Sequence, residues 1–337
     1  MTATVSPLAV LGAGSWGTAL AIQFARSGHP TRLWARDATH RDEMARDRCN
    51  RRYLPDAAFP DTLQIAESLG AALEDASEVL IVVPSHAFRG MLQELAPRLP
   101  AHVRLAWATK GFELETGLLP HQIAREIFGD SRCFAVLSGP TFAREVGAGL
   151  PTAMTIAATD ETYATTLAQS LSSANFRAYT STDIVGVEVG GATKNVLAVG
   201  AGLADGLGYG ANTRVALITR GLLEMTRLGL ALGARQETFM GLAGLGDLVL
   251  TSTDDQSRNR RFGLLLARGH SVEVALAEIG QVVEGYLAAR AIHQVAERHG
   301  VQMPICESIY RMLYEALPPP DVVRGLMSRP IRAEFDR

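Results

Sequence analysis

The stretch PLAVLGAGSWG (residues 7–17), followed by TALAIQFARSG up to Gly28, decides the fold of this chain. An apolar run of strand length comes first, three glycines follow as G-x-G-x-x-G, and a helical spacing comes next. In this strand-to-helix context the pattern indicates a dinucleotide-binding turn. Gly12 permits the tight turn, Gly14 lets a pyrophosphate approach the backbone, and Gly17 lets helix and strand pack closely. A glycine-rich turn without a ligand is the alternative.

The end of the second predicted strand, TRLWAR (31–36), bears on which dinucleotide is bound. Sites selective for NAD usually place an acidic residue there to bind the ribose 2′-hydroxyl. Here the sequence offers Arg36, which could bind a 2′-phosphate, and Asp37, which could serve a plain ribose. The residues favour NADP(H) and leave NAD(H) open. A solvent-exposed ion pair is the alternative interpretation.

Outward from this unit, strands and helices alternate along the first half of the chain. Further short apolar runs lie at 63–66, 78–84, 103–110, 134–140 and 152–158, with helical stretches such as 87–99 between several of them. This alternation predicts an α/β fold with a mostly parallel, doubly wound sheet.

After about residue 185 the strand-like runs stop. Helical candidates follow at 191–204, 212–229, 257–268, 271–279, 285–299 and 304–316, and a Pro run precedes a short terminal helix. We therefore expect a Rossmann-type dinucleotide-binding domain over residues 1–188 and an all-helical substrate-binding and catalytic domain over 189–337.

Composition excludes several classes of protein. The 337 residues are 47% hydrophobic and 20% charged with a formal charge of −3, which argues against disorder and against a basic field for nucleic acid. The three cysteines are far apart, which disfavours a disulfide framework or zinc site and suits a reducing compartment. Residues 1–25 lack the basic start of a signal peptide, and Pro7 and the glycines interrupt any membrane helix. We expect a cytoplasmic protein without stable membrane insertion.

One lysine of the second half stands in apolar surroundings. Lys194 follows Gly190 and Gly191 in VGGATKNVLAVG (189–200) and precedes Asn195. Partial desolvation would lower the pKa of such a lysine towards neutrality and suit it to acid–base catalysis. The alternative is a surface lysine whose stem covers apolar surface.

A second segment, GLAGLGDLVLT (241–251), places Asp247 and Thr251 four positions apart. On a helix both would face one side and could address one small polar substrate. Asp247 could equally cap the helix N-terminus, and both interpretations can hold together.

Soon after comes SRNRR (257–261). Ser257 would start a helix, and Arg258 and Asn259 would add donors for an anion beside its free N–H groups. We interpret Arg260 and Arg261 as a solvated basic face.

Taken together, these segments resemble the NAD(P)-dependent glycerol-3-phosphate dehydrogenase family, and most closely its bacterial branch. The resemblance covers nearly the whole chain. It is carried by GAGSWGTALA (12–21), ATKGFE (108–113), SGPTFARE (138–145), GGATKNVLAVGAGLADGLGYGANTRVALITRG (190–221), FMGLAGLGDLVLT (239–251), SRNRRFG (257–263), VVEGY (282–286) and MPICESIY (303–310). Residues 37–60 are the least family-like part, and we assign no site there.

The resemblance implies roles for individual residues. Lys194 would be the catalytic proton donor and acceptor, and Lys110 would lie near both nicotinamide and substrate. The implied substrate-binding set is Lys110, Gly139, Thr141, Asn195, Asp247, Thr251, Ser257, Arg258 and Asn259. The implied cofactor contacts, beyond Gly12, Gly14 and Gly17, are Ser15, Trp16, Arg36, Lys110, Ala143, Arg258, Val282 and Glu284.

The resemblance also implies a reaction. Dihydroxyacetone phosphate would be reduced to sn-glycerol 3-phosphate for phospholipid synthesis, with Asn195, Asp247 and Thr251 holding Lys194 and the hydroxyls.

No His, Cys and carboxylate residues have metal-ligand spacing, so we expect no metal. Apolar helices of the second half favour a homodimer. The alternatives are another β-hydroxyacid-type dehydrogenase, such as a 6-phosphogluconate-like enzyme, and an inactive cofactor sensor.

Overall fold

The computed structural model describes residues 6–330 and residue 334. Its first half alternates strands and helices: β1 (Leu8–Leu11), α1 (Ser15–Arg26), β2 (Thr31–Trp34), α2 (Ala38–Asp47), β3 (Cys49–Asn50), β4 (Leu54–Ala58), β5 (Leu63–Ile65), α3 (Leu69–Leu73), β6 (Glu78–Ile81), α4 (Ser85–Leu95), β7 (Arg104–Trp107), α5 (Pro120–Phe128), β8 (Phe134–Ser138), α6 (Ala143–Ala148), β9 (Thr152–Ala158), α7 (Glu161–Leu171) and β10 (Phe176–Ser181).

Eight of these strands form one twisted sheet in the order β10-β9-β8-β7-β6-β1-β2-β5. All pairs from β8 to β5 are parallel, β9 runs antiparallel to β8, and β10 runs parallel to β9. The predicted Rossmann-type sheet is confirmed. Because β1 lies between β2 and β6, the glycine loop that follows β1 emerges where the strand order reverses, which is where doubly wound sheets bind ligands.

Two β features were not predicted. The strand Phe176–Ser181 is missing from our expectations, as is the small antiparallel hairpin of β3 and β4. β10 is an edge strand in which Phe176 is buried and the five residues after it are partly or fully exposed. A half-exposed edge strand carries no continuous apolar run, and the apolar run was the signal that located the others.

The second half is helical: α8 (Ile184–Gly206), α9 (Ala211–Ala231), α10 (Gln236–Phe239), a π-helical turn (Leu242–Gly246), α11 (Asp247–Thr253), α12 (Arg258–Ala267), α13 (Val272–Ile279), α14 (Glu284–Arg298), α15 (Pro304–Tyr314) and α16 (Pro319–Met327). The predicted all-helical character of this half is confirmed. Of residues 236–253, only the helix through Asp247 and Thr251 was anticipated, and α10 and the π-helical turn were not predicted.

Helix α8 begins seven residues earlier than the predicted start at 191. Glycine has a low helix propensity, so the pair Gly190 and Gly191 favoured a later helix start. In the structure both glycines are buried in the helix, where neighbouring segments pack closely against it. A Cβ on Gly190 would lie 2.5 Å from the carbonyl oxygen of Ala243. The predicted division between residues 188 and 189 falls inside this helix and stays a prediction. The ends of the two predicted domains, residues 1–5, 331–333 and 335–337, lie outside the described residues.

Three apolar cores hold the described part of the chain together. One covers the sheet face that packs against α1 and α7, with Phe24 and Tyr163 fully buried. Another covers the opposite face, around Trp107 and Phe88. The third lies among the helices around α8. No helix of the described residues combines the length and apolar character needed to cross a membrane.

Candidate active site

A cavity of about 1020 Å³ opens at the carboxyl ends of the central strands and continues between the sheet and the helices of the second half. Most of the predicted site residues line it. They are Gly12, Gly14, Ser15, Trp16, Gly17, Arg36, Lys110, Thr141, Ala143, Lys194, Asn195, Asp247, Thr251, Ser257, Arg258, Asn259, Val282 and Glu284. One cavity therefore brings together side chains from segments far apart in sequence.

The glycine loop closes the sheet end of this cavity. Gly12 has φ +114°, and a Cβ there would lie 2.2 Å from the carbonyl oxygen of Val82. A Cβ on Gly17 would lie 1.8 Å from the carbonyl oxygen of Gly12, whereas at Gly14 nothing lies within 4 Å. Two glycines are thus required by packing, and the third leaves open space at the start of α1.

The N-terminus of α1 faces that open space. Gly14 is its N-cap residue and supplies no side-chain hydrogen bond, so the first N–H groups keep their capacity to bind an anion. Trp16 and Trp34 also line the cavity, and their indole nitrogens are buried without a hydrogen-bond partner.

Arg36 lies exposed on the rim beyond β2. Its neighbour Asp37 caps α2 by accepting a hydrogen bond from the His40 backbone N–H at 3.3 Å and lies 3.5 Å from Arg52. Asp37 thus already has partners, and the guanidinium groups of Arg36 and Arg52 both lie on the wall. The charge on this rim suits an anionic group.

The deepest wall of the cavity carries two lysines that share one carboxylate. Lys194 on α8 and Lys110 after β7 donate to the two different oxygens of Asp247 on α11, the Lys110 bond being 2.7 Å. Lys194 also donates to Thr251 Oγ1 at 3.0 Å. Lys194 is 7% exposed and Asp247 is 1% exposed, so a surface position for Lys194 is excluded. Asp247 and Thr251 share one helix face, as their spacing predicts.

The charges of this cluster are set by burial and by each other. Burial lowers the pKa of the Lys194 ammonium to about 7, against the attraction of Asp247, and the charge of Lys110 lowers it further. Burial acts to raise the pKa of Asp247, but the two ammonium groups outweigh it and hold that pKa below its usual value. The result is a carboxylate that stays ionised beside a lysine able to hold or release a proton near neutral pH.

A second polar region lies at the start of α12. Ser257 caps this helix, with its hydroxyl accepting from the Arg260 backbone N–H at 3.2 Å. Arg258 lines the cavity, donates to Gln281 at 3.2 Å, and has a guanidinium pKa lowered by burial. Glu284 also lines the cavity, and burial raises the pKa of its carboxyl to about 7, opposed by the charge of Arg258. A partly desolvated guanidinium beside a helix N-terminus can bind an anion strongly.

Three expectations about individual residues need adjustment. The Asn195 amide donates to the Gly191 carbonyl at 3.3 Å and accepts from Asn259 at 2.9 Å, so it does not hold Lys194. Gly139 does not line the cavity, since it packs against Met154, where a Cβ would lie 2.8 Å from Met154 Cα. Arg260 is not on a solvated face, because it is 9% exposed and donates to Asp205 at 2.6 Å.

Sequence reasoning also missed part of the wall. Apart from Asp37, which the sequence offered for a plain ribose, residues 37–60 were given no site, yet His40, Arg52, Tyr53 and Leu54 line the cavity. The available signal was topological, because the segment that follows the second strand of such a sheet leaves from the same carboxyl edge as the glycine loop.

Within the part of the chain that the structure describes, no group of three or more His, Cys, Asp or Glu side chains is placed to hold a metal ion. The polar groups of the cavity are instead lysine, arginine, hydroxyl and amide donors with three carboxyl groups, those of Asp37, Asp247 and Glu284. That donor set matches phosphate and carbonyl oxygens.

Comparison with known proteins agrees with this geometry. Residues 7–164 match the model of the N-terminal domain of NAD-dependent glycerol-3-phosphate dehydrogenases, and residues 183–324 match that of the C-terminal domain. The chain is 57% identical to a glycerol-3-phosphate dehydrogenase (NAD(P)+) of Methylococcus capsulatus, over 98% of this chain and 99% of that one. It is 55% identical to the protein of that name from Aeromonas hydrophila, over 96% and 97%.

Solved structures agree as well. A crystal structure of glycerol-3-phosphate dehydrogenase from Coxiella burnetii superposes with a TM-score of 0.93 at 46% identity, covering 96% of this chain and 99% of that one. The chain therefore belongs to the NAD-dependent glycerol-3-phosphate dehydrogenase family.

Proposed function

We propose that this chain catalyses the reversible, NAD(P)H-dependent reduction of dihydroxyacetone phosphate to sn-glycerol 3-phosphate, with Lys194 as its acid–base group. The observation that carries this assignment is the cluster of Lys194, Asp247 and Lys110, which lies in the same cavity as the glycine loop. The product would supply phospholipid synthesis in the cytoplasm, and the three free cysteines suit such a reducing compartment.

The sheet end of the cavity fits a nicotinamide dinucleotide. Open space at Gly14 and the uncapped start of α1 would receive it, and Trp16 and Trp34 line the same cavity. When bound, this cofactor supplies or accepts the hydride. Ser15, Ala143, Val282 and Glu284 border the same space. Arg36 on the rim supports a preference for NADP(H), because a guanidinium pairs with a 2′-phosphate.

Lys194 handles the proton. In its ammonium form it would donate to the carbonyl oxygen of the ketone as negative charge develops there, and as the neutral amine it would accept a proton from the alcohol in the reverse direction. Asp247 and Thr251 hold its Nζ atom in place. Lys110, on the other oxygen of Asp247, keeps the carboxylate ionised and adds positive charge beside the substrate.

The start of α12 would bind the substrate phosphate. Arg258 and the free N–H groups after Ser257 form that end of the cavity, and Thr141 and Asn259 line the same cavity. A phosphate dianion gains there from the helix dipole and a charge-assisted hydrogen bond. Binding energy at this remote group positions the reacting carbon.

Loss of NADPH absorbance on addition of dihydroxyacetone phosphate tests the activity, and stereospecific formation of sn-glycerol 3-phosphate identifies the product. Absence of turnover with both NADPH and NADH would contradict the assignment. The proposed homodimer is tested separately, since analytical ultracentrifugation should give about twice the chain mass of 36.1 kDa.

Replacement of Arg258 tests the phosphate site. Wild type should use unphosphorylated dihydroxyacetone very poorly, and Arg258→Ala should lose about 10- to 100-fold in kcat/KM on the phosphorylated substrate and little on the bare one. Arg258→Lys should also be impaired because it loses the bidentate geometry. Arg268→Ala, an exposed arginine at the other end of the same helix and outside the cavity lining, is the matched control. A variant at 258 that keeps the wild-type preference for the phosphorylated substrate would contradict this role.

A further inference from the structure

A buried carboxyl group lies behind the lysine cluster, outside the cavity wall. Glu188, on the first turns of α8, is 4% exposed. Its Oε1 atom accepts from the indole Nε1 of Trp107 at 2.9 Å and from the backbone N–H of His121 at 3.0 Å, and its Oε2 atom lies 2.5 Å from His121 Nδ1. Trp107 belongs to β7 and His121 to α5, so one side chain joins three elements.

Trp107 and Glu188, which one hydrogen bond joins, each lie a few residues before one of the two lysines. Trp107 is the last residue of β7, and the chain continues through Thr109, whose hydroxyl donates to the Val83 carbonyl at 2.8 Å, to Lys110. Glu188 lies six residues before Lys194 on the same unbroken helix. The hydrogen bond between Trp107 and Glu188 therefore connects the strand that presents one lysine to the helix that presents the other.

Between Glu188 and Lys194, helix α8 packs closely against its neighbours. A Cβ on Gly191 would lie 3.4 Å from the Lys110 stem, and one on Gly190 would lie 2.5 Å from the Ala243 carbonyl, just before α11. A shift of α8 along or towards the sheet would move Lys194 relative to both Lys110 and Asp247. Displacements of about 1 Å are enough to cost up to about 10²-fold in rate.

We infer that Glu188 is a positioning residue. Through its hydrogen bonds to Trp107 and His121, it fixes the position of α8 relative to β7 and α5, and so the position of Lys194 relative to Asp247. Packing at Gly190 and Gly191 limits how closely α8 approaches its neighbours, and the hydrogen bonds of Glu188 add directional contacts from α8 to β7 and α5. The inference rests on the proposed role of Lys194. It adds Glu188 and Trp107, which touch neither substrate nor cofactor, to the residues that set the rate.

Two variants and two matched controls test it. Trp107→Phe removes the indole donor and keeps an aromatic ring, and Phe88→Leu, whose ring lies 5.6 Å from that of Trp107, perturbs the same core without touching Glu188. Glu188→Gln changes the carboxyl group, and Glu224→Gln changes another buried carboxyl, which accepts backbone N–H groups of Ile305 and Cys306 far from the lysines. Each is measured for thermal stability, kcat, cofactor KM and the pH profile of kcat/KM.

Trp107→Phe and Glu188→Gln should each lower kcat per folded molecule about tenfold, keep the cofactor KM within about twofold, and move the pH at which kcat/KM bends. Phe88→Leu and Glu224→Gln should lower only the thermal stability. If either test variant loses activity only in proportion to its folded fraction and keeps the wild-type bend, the network is purely structural and the inference is wrong. Failure of the proposed function itself would look different, since wild type would then not turn over or Lys194→Met would stay active.

Discussion

The two halves of the cavity are built in different ways. The cofactor half is made of backbone, namely a turn at Gly12, a close approach at Gly17 and the uncapped start of α1. The substrate half is made of charged side chains, with Lys110 and Lys194 on opposite oxygens of Asp247. The first half binds by shape and fixed N–H groups, and the second controls a proton by burial and charge.

This difference determines how each half should respond to mutation. Backbone geometry in the cofactor half tolerates no added atom at two glycines, so damage there should appear in folding and binding. The substrate half contains groups that can be shortened without a clash, so damage there should appear in turnover or substrate binding, with cofactor binding preserved.

The largest effect is expected at Lys194. Lys194→Met keeps the apolar stem and removes the ammonium, so turnover should fall by about 10²–10⁴-fold while cofactor binding stays nearly intact. Stopped-flow turnover and fluorescence titration of NADPH measure the two quantities separately. A variant that keeps more than about a tenth of wild-type turnover would remove Lys194 from the mechanism and make Lys110 the next candidate.

The glycines should give the next largest effect, and it should split within one loop. Gly17→Ala puts a methyl group 1.8 Å from the Gly12 carbonyl oxygen, and we expect a loss of about 1–3 kcal/mol in the free energy of unfolding. Gly14→Ala meets open space, so its stability should stay near wild type while its affinity for the dinucleotide drops. Chemical denaturation and cofactor titration of both variants check this, and equal stability losses would contradict it.

Arg36 should give the most selective effect, confined to one cofactor. Arg36→Ala should raise the KM for NADPH by about 10- to 150-fold, corresponding to about 1.5–3 kcal/mol for a charge-assisted hydrogen bond, and change the KM for NADH little. Arg46→Ala, an exposed arginine of α2 outside the cavity lining, is the control. Equal weakening of both cofactors, or a wild type that prefers NADH, would show that Arg36 does not bind the 2′-phosphate.

The same difference explains what the sequence could reveal. The cofactor half is contiguous, so strand, glycines and helix could be interpreted from the local pattern of residues 7–28. The substrate half joins Lys110 to Asp247 across 137 positions and Lys194 to Asp247 across 53. Spacing could propose Lys194 and Asp247 singly, but only folding places them together, and Lys110 entered through family resemblance alone.

Other features carried no sequence signal because their meaning depends on burial. In the sequence, Glu188 is simply a charged residue two positions before the pair Gly190 and Gly191. Arg260 is one of three arginines in SRNRR and was interpreted as a surface cation. In the structure Glu188 joins three elements and Arg260 binds Asp205 in the interior. A charged residue is usually exposed to solvent. A buried one such as Glu188 or Arg260 can be recognised only when the structure shows which residues it binds.

The most direct test of the central claim is the pH dependence of kcat/KM in both directions. Burial lowers the pKa of Lys194 to about 7, and this value belongs to the coupled cluster of Lys194, Asp247 and Lys110. Reduction needs the ammonium, so its kcat/KM should be level below that pH and fall above it. Oxidation needs the neutral amine, so its kcat/KM should rise up to the same pH and then level off. A reduction profile that stays level from pH 6 to about 9 would contradict the account, because the proton would then come from a group other than Lys194.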